Sequence, residues 1–182
     1  MNSNLDKIIT ATLNKKFNSQ REMLMDFASV LFCENISRID AKQGWHMPVD
    51  CNTYLIQISD IGYGQPVALY KDKFSEIIQL NFNDTEDESD SQSISDYQAK
   101  EISNFLLKAK QNKANIVVHC HAGICRSGAV VESAMSIGYA DVEQRVRLPN
   151  SLVKRKIMKE LGTYITPLTS MFGEDFFFKD EY

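Results

Sequence analysis

The chain has 182 residues, 43% hydrophobic and 24% charged, with a formal net charge of −4. That size and composition suit one soluble domain with an ample core rather than a disordered chain, and the acidic balance argues against a broad nucleic-acid-binding face. No apolar run approaches the ~20 residues of a membrane span, the polar start Met1–Asp6 lacks a secretory pattern, and the four cysteines are therefore expected as reduced thiols in a cytoplasm.

In chain order, Leu5, Ile8, Ile9, Leu13 and Phe17 recur at helical spacing and predict a helix over 4–17. Ser19 to Glu22 reads as a capping box, with Met23, Leu24, Phe27, Ala28, Leu31 and Phe32 continuing one apolar face, so a second helix is expected over 20–32. Trp45, His46 and Met47 fall in a connector. Strands are expected at 53–58 and 76–82, with Gly62, Gly64 and Pro66 marking the connection. Ser95 to Gln98 forms another capping box, opening a helix with Ile102, Phe105, Leu106 and Ala109 on one side. A short apolar strand at 115–118 follows, then a helix-compatible run from Gly128, a break at Gly138–Asp141, and a helix capped by Asn150. The aromatic and acidic tail from Met171 is expected to dock on the core. No internal repeat appears. Alternating strands and helices predict an α/β fold, a central mostly parallel sheet flanked by helices, with an extra N-terminal helical segment. One domain is expected over 1–182, with a leader at 1–50, a core at 52–162 and a tail at 163–182.

The most informative stretch is His119-Cys120-His121-Ala122-Gly123-Ile124-Cys125-Arg126-Ser127. A turn between a strand and a helix aims the orphan N–H groups of residues 121–126 at one point, where the positive end of the helix dipole favours a dianion. Arg126 adds a planar fork matched to two phosphate oxygens, and the same donors favour a thiolate at Cys120. Gly123 permits close approach of backbone to the anion. Phosphate-binding residues are thus expected at His121, Ala122, Gly123, Ile124, Cys125 and Arg126. Loss of a leaving alkoxide or phenoxide needs a proton, and Asn83-Asp84-Thr85-Glu86 at a strand exit offers a carboxyl group. Asp84 is preferred by that position, with Asp87, Glu88 and Asp90 in the following acidic, Ser-rich stretch left as alternatives.

This signature, His-Cys-x5-Arg-Ser between a strand and a helix, resembles that of the protein tyrosine phosphatase superfamily. From about residue 52 to 162 the order of elements is similar to that of small dual-specificity phosphatases and bacterial or phage tyrosine phosphatases. Lys154-Arg155-Lys156 departs from the more apolar pattern expected of the last helix. The resemblance implies a metal-independent, cofactor-free hydrolase that forms a cysteinyl-phosphate on phosphotyrosine, and possible action on phosphoserine and phosphothreonine, in a phosphorylated protein substrate. It further implies that Asp84 is the acid and then the base for water, that Ser127 donates to the sulfur, and that His119 orders the loop. Gly123 to Ser127 also resembles the loop of low-molecular-weight phosphatases, where a second cysteine protects the nucleophile; for Cys125, a redox role and simple packing both remain open. Reversible inactivation by peroxide is expected. Competing readings are an RNA 5′-phosphatase or phosphoinositide phosphatase on the same scaffold, a phosphotyrosine-binding module, and a zinc site from His119, Cys120, His121 and Cys125. Adjacent ligands at one strand exit wrap poorly around a tetrahedral ion, which disfavours the last.

Overall fold

The computed structural model describes residues 30–44, 46, 52–65, 68–69, 71–141 and 145–163. Within them five strands, β1 (Phe32–Ser37), β2 (Thr53–Ser59), β3 (Glu76–Asn81), β4 (Asn115–Cys120) and β5 (Ala140–Asp141), form one sheet in the order β3-β2-β4-β1-β5. Every pairing is parallel. Parallel strands are covered on both faces and so read as nearly continuous apolar runs; β2, Thr-Tyr-Leu-Ile-Gln-Ile-Ser, is buried along its whole length.

Among the described residues four helices cover the sheet: α1 (Arg38–Gln43), α2 (Asp96–Gln111), α3 (Arg126–Ser136) and α4 (Ser151–Glu160). On one face α2, α3 and α4 contribute Ile102, Leu106, Val130 and Ile157 to a core shared with Ile56, Ile58, Ile116 and Val118. On the other, Ala41 of α1 joins Ala68 and Phe74 of the β2–β3 connection over Leu55 and Val117. The strand alternation of period two sends Ile116, Val118 and Cys120 to the first face and Val117 to the second. Ser95 caps α2 in a full capping box with Gln98, and the Asn150 side chain caps α4 by accepting from the Val153 N–H. Both caps stand where the sequence signals them.

The α/β class and the helix-flanked sheet agree with expectation, and all the described strands are parallel rather than most. Two elements differ. Phe32, expected at the end of a helix, instead opens β1, a strand that the residue pattern conceals because Glu34 and Asn35 lie in its middle and are buried. Ala140 and Asp141, read as a break, add an edge pairing to Phe32 and Cys33 of β1. The predicted helix over 4–17, most of that over 20–32, and the tail beyond 163 lie outside the described residues. Among the described residues no helix is long and apolar enough to cross a membrane.

Candidate active site

The central strand β4 ends at Cys120 between β2 and β1. The chain builds one side of the sheet with β2 and β3, returns to the centre with β4, and then adds β5 on the far side of β1. Ligands of open α/β sheets bind beyond the carboxyl ends of strands at such a reversal.

Residues 121–125 join Cys120 to α3, and the first residue of that turn is tied to the start of α1 by the Arg38 N–H, which donates to the His121 carbonyl at 3.1 Å. Asn35 Nδ2 donates to the Gly123 carbonyl at 2.7 Å. Gly123 has φ +76°, and a Cβ there would lie 2.4 Å from both the Ile36 carbonyl carbon and the Ser37 nitrogen. Only glycine fits against that backbone. Asn35 is steadied in turn by Arg147, whose Nη1 donates to its Oδ1 at 3.1 Å and which also pairs with Asp141. Arg145 pairs with the buried Glu34 at 2.9 Å. The eleven-residue α3 begins without a side-chain cap on its first turn, so its N-terminal N–H groups and dipole remain available to an anion.

Cys120 Sγ sits 3.2 Å from Ser127 Oγ, and the thiol is 1% exposed, at the bottom of the turn rather than on the surface. Arg126 is 2% exposed. Its Nη1 donates to the Phe82 carbonyl at 2.7 Å and lies 2.9 Å from Asp60 Oδ1. Its buried Nε makes no hydrogen bond among the described residues; Asp84 Oδ2 stands off at 3.9 Å. An unpartnered buried N–H is costly unless something polar meets it, and the Nε edge of a guanidinium is one of its bidentate faces.

Asp84 follows β3 in a loop folded back on itself by the Asn83 N–H, which donates to the Gln92 carbonyl at 2.8 Å. Asn150 is the joint between this loop and the Cys120 turn. Its Nδ2 donates to Asp84 Oδ1 at 2.9 Å and to the Thr85 carbonyl at 3.1 Å, while its backbone N–H donates to the Cys125 carbonyl at 3.2 Å. The competing carboxylates are engaged elsewhere. Asp87 accepts from Ser89, Asp90 from the Gln92 N–H, and Glu86 from the Ser151 N–H. Glu88 pairs with Arg155 and Lys156. Those hydrogen bonds hold Glu86, Asp87 and Glu88 below their ordinary carboxylate pKa values. Burial, then the charge of Asp84 and a hydrogen bond to it, push the Cys125 thiol up.

His119 is fully buried on the opposite face of the sheet from Cys120. Gln57 Nε2 lies 2.9 Å from His119 Nε2, and Gln79 Nε2 donates to Gln57 Oε1 at 2.8 Å. An amide nitrogen only donates, so the ring accepts at Nε2. Burial lowers its pKa from 6.5 to about 4, which leaves it neutral. His121 and Ala122 are exposed, Ile124 and Cys125 half-buried. Among the described residues no group of three or more His, Cys, Asp or Glu is arranged to hold a metal ion.

The sequence reading passes over Asn35 and Arg147, which brace the turn, and over Asp60, which meets Arg126 itself. Asp60 stands just past β2 and, like Asp84 after β3, follows a strand exit, which was the available signal. The whole arrangement presents a thiol, a hydroxyl, an arginine edge, a helix N-terminus and a carboxyl group around one point at the end of β4.

No family model matches the chain, and no curated protein does. Among solved structures it matches that of Tk-PTP in the active form, at 12% identity and a TM-score of 0.40, over 76% of this chain and 84% of that one.

Proposed function

We propose that the chain is a metal-independent phosphomonoester hydrolase of the Cys-x5-Arg tyrosine phosphatase type, acting on phosphotyrosine in proteins, with phosphoserine and phosphothreonine the further substrates to be tested. The observation that carries this reading is the buried Arg126 Nε, without a hydrogen-bond partner among the described residues, on the residue that opens α3 one position before Ser127, which contacts the Cys120 sulfur. A bound phosphoryl group supplies the missing acceptor and places phosphorus in line with a thiolate.

In the first step Cys120 Sγ forms the S–P bond as the P–O bond to the substrate breaks. The electron pair leaves with the oxygen, and Asp84 delivers a proton to it. The spreading negative charge on the equatorial oxygens meets the Arg126 edge and the α3 N-terminus. In the second step Asp84, now a carboxylate, takes a proton from water as its oxygen attacks phosphorus, and the S–P bond breaks back to a thiolate. Ser127 stabilises that sulfur by donating to it. Asn150 fixes Asp84, and neutral His119 braces the strand end from behind. Cys125 acts as packing in this reading, since burial and Asp84 hold it as a thiol whereas exchange with an oxidised nucleophile needs a thiolate. The work is cytoplasmic, with no cofactor.

Phosphotyrosine, phosphoserine and phosphothreonine peptides and a 5′-triphosphate RNA, offered side by side in EDTA, test the assignment. The expected result is phosphate release from the phosphotyrosine peptide, abolished in Cys120→Ser, with kcat reduced by about 10²–10⁴-fold in Asp84→Asn; the other two peptides decide between tyrosine-only and dual specificity. Turnover surviving in Cys120→Ser refutes the covalent route, and a preference for the RNA refutes the substrate class.

A further inference from the structure

Arg126 meets two carboxylates, and only one has a part in the chemistry above. Asp60 Oδ1 lies 2.9 Å from Arg126 Nη1, closer than Asp84 Oδ2 at 3.9 Å from Nε. Nη1 also donates to the Phe82 carbonyl at 2.7 Å. Nη1 thus carries a hydrogen bond to Phe82 and an ion pair to Asp60. The fork therefore cannot rotate without losing both that hydrogen bond and that ion pair.

The support behind Asp60 is equally fixed. Its carbonyl accepts from the Tyr63 N–H at 3.1 Å, closing a turn at the end of β2. The next residue, Ile61, donates its N–H to Asn83 Oδ1 at 3.0 Å, and Phe82 donates its own to the Ser59 carbonyl at 3.0 Å. The two acceptors of Nη1 therefore stand on adjacent, cross-linked strand ends. They leave the Nε edge as the part of the fork that faces a ligand.

We infer that Asp60 is a positioning residue of the anion site: by holding Arg126 Nη1 against the end of β2, it presets the Nε edge to receive two oxyanion oxygens. The inference rests on the reading of Arg126 as a phosphate clamp. It makes an unusual demand, because a carboxylate beside an anion site opposes anion binding by charge while favouring it by geometry. Replacing Asp60 separates the two effects.

The test measures tungstate binding by titration calorimetry, and kcat and KM for p-nitrophenyl phosphate, in the full chain carrying Asp60→Ala, Asp60→Asn or no change. Asp60→Ala is expected to weaken tungstate binding and raise KM by about 10–100-fold, the range for loss of a hydrogen bond to a charged group, with kcat changed less. Asp60→Asn retains an oxygen acceptor for Nη1 and is expected to restore most of the affinity. Tighter or unchanged tungstate binding in both variants overturns the inference, because charge alone then governs, while wild-type turnover keeps the functional reading intact. A wild-type chain that neither binds tungstate nor releases phosphate overturns that reading and the inference with it.

Discussion

Gly123→Ala is the sharpest probe of how the Cys120 turn is held. The new methyl lies 2.4 Å from the Ile36 carbonyl carbon and the Ser37 nitrogen and 2.7 Å from the Ile36 oxygen. Ordinary contact between such atoms is about 3.5–4.0 Å, so the turn must retreat by roughly 1 Å. The obstacle cannot yield, because Ile36 and Ser37 are registered against His119 and Cys120 in the sheet. Retreat breaks the bonds from Asn35 Nδ2 to Gly123 and from the Arg38 N–H to His121, each worth about 1 kcal/mol. The left-handed φ adds about 1–2 kcal/mol for an alanine. The native turn is thus disfavoured by about 3–4 kcal/mol, and a 1 Å misplacement of reacting groups alone can cost about 10²-fold in rate. Gly162→Ala is the control, since φ there is +69° but nothing lies within 4 Å of the added carbon; it carries the backbone cost alone. Urea unfolding and kcat/KM for p-nitrophenyl phosphate, measured on both, should separate them, with Gly123→Ala losing at least 10²-fold in kcat/KM and Gly162→Ala near wild type. Equal behaviour of the two variants would refute the close-packing argument.

Burial of neutral His119, with a pKa of about 4 against 6.5 unfolded, makes stability pH-dependent. Below 6.5 the unfolded chain takes a proton that the folded ring refuses, so stability is lost as pH falls from 6.5 toward 4, by up to about 3 kcal/mol; His119→Gln should flatten that part of a urea-midpoint profile, and parallel profiles would show that the folded ring takes the proton as readily as the unfolded one. Asn150→Ala removes the α4 cap and the bonds to Asp84 and Thr85, with an expected loss of about 1–3 kcal/mol of stability. Its kcat should fall more for phenyl phosphate than for aryl phosphates with good leaving groups, and an equal fall for both would detach Asn150 from the acid step.

What was legible in the sequence is what is local. The Cys120 turn, Arg126 and Ser127 lie within one strand–turn–helix unit, and the caps Ser95 and Asn150 signal their helices within three residues. Asp84 was legible by its place after a strand, and the structure sets it nearer Arg126 than its acidic neighbours by giving each of those another partner. The misses share a cause. Glu34 and Asn35 look like surface residues until Arg145, Gly123 and Arg147 are brought to them, the last two across 88 and 112 positions. Asp60 gains meaning only when β2 and β4 lie side by side. At two residues, β5 is too short to show any period.

Because the turn is local but its supports are not, the order of events in folding follows. The bonds that brace it, directly or through Asn35 and Asn150, join residues separated by 65, 66, 88 and 112 positions, and contacts across such separations form slowly since loop closure precedes their reward. A nascent chain holding everything through α3 still lacks Arg147 and Asn150. Catalytic competence should therefore arrive as the last event of folding, after helical signal is regained, and refolding followed by turnover should lag behind refolding followed by circular dichroism.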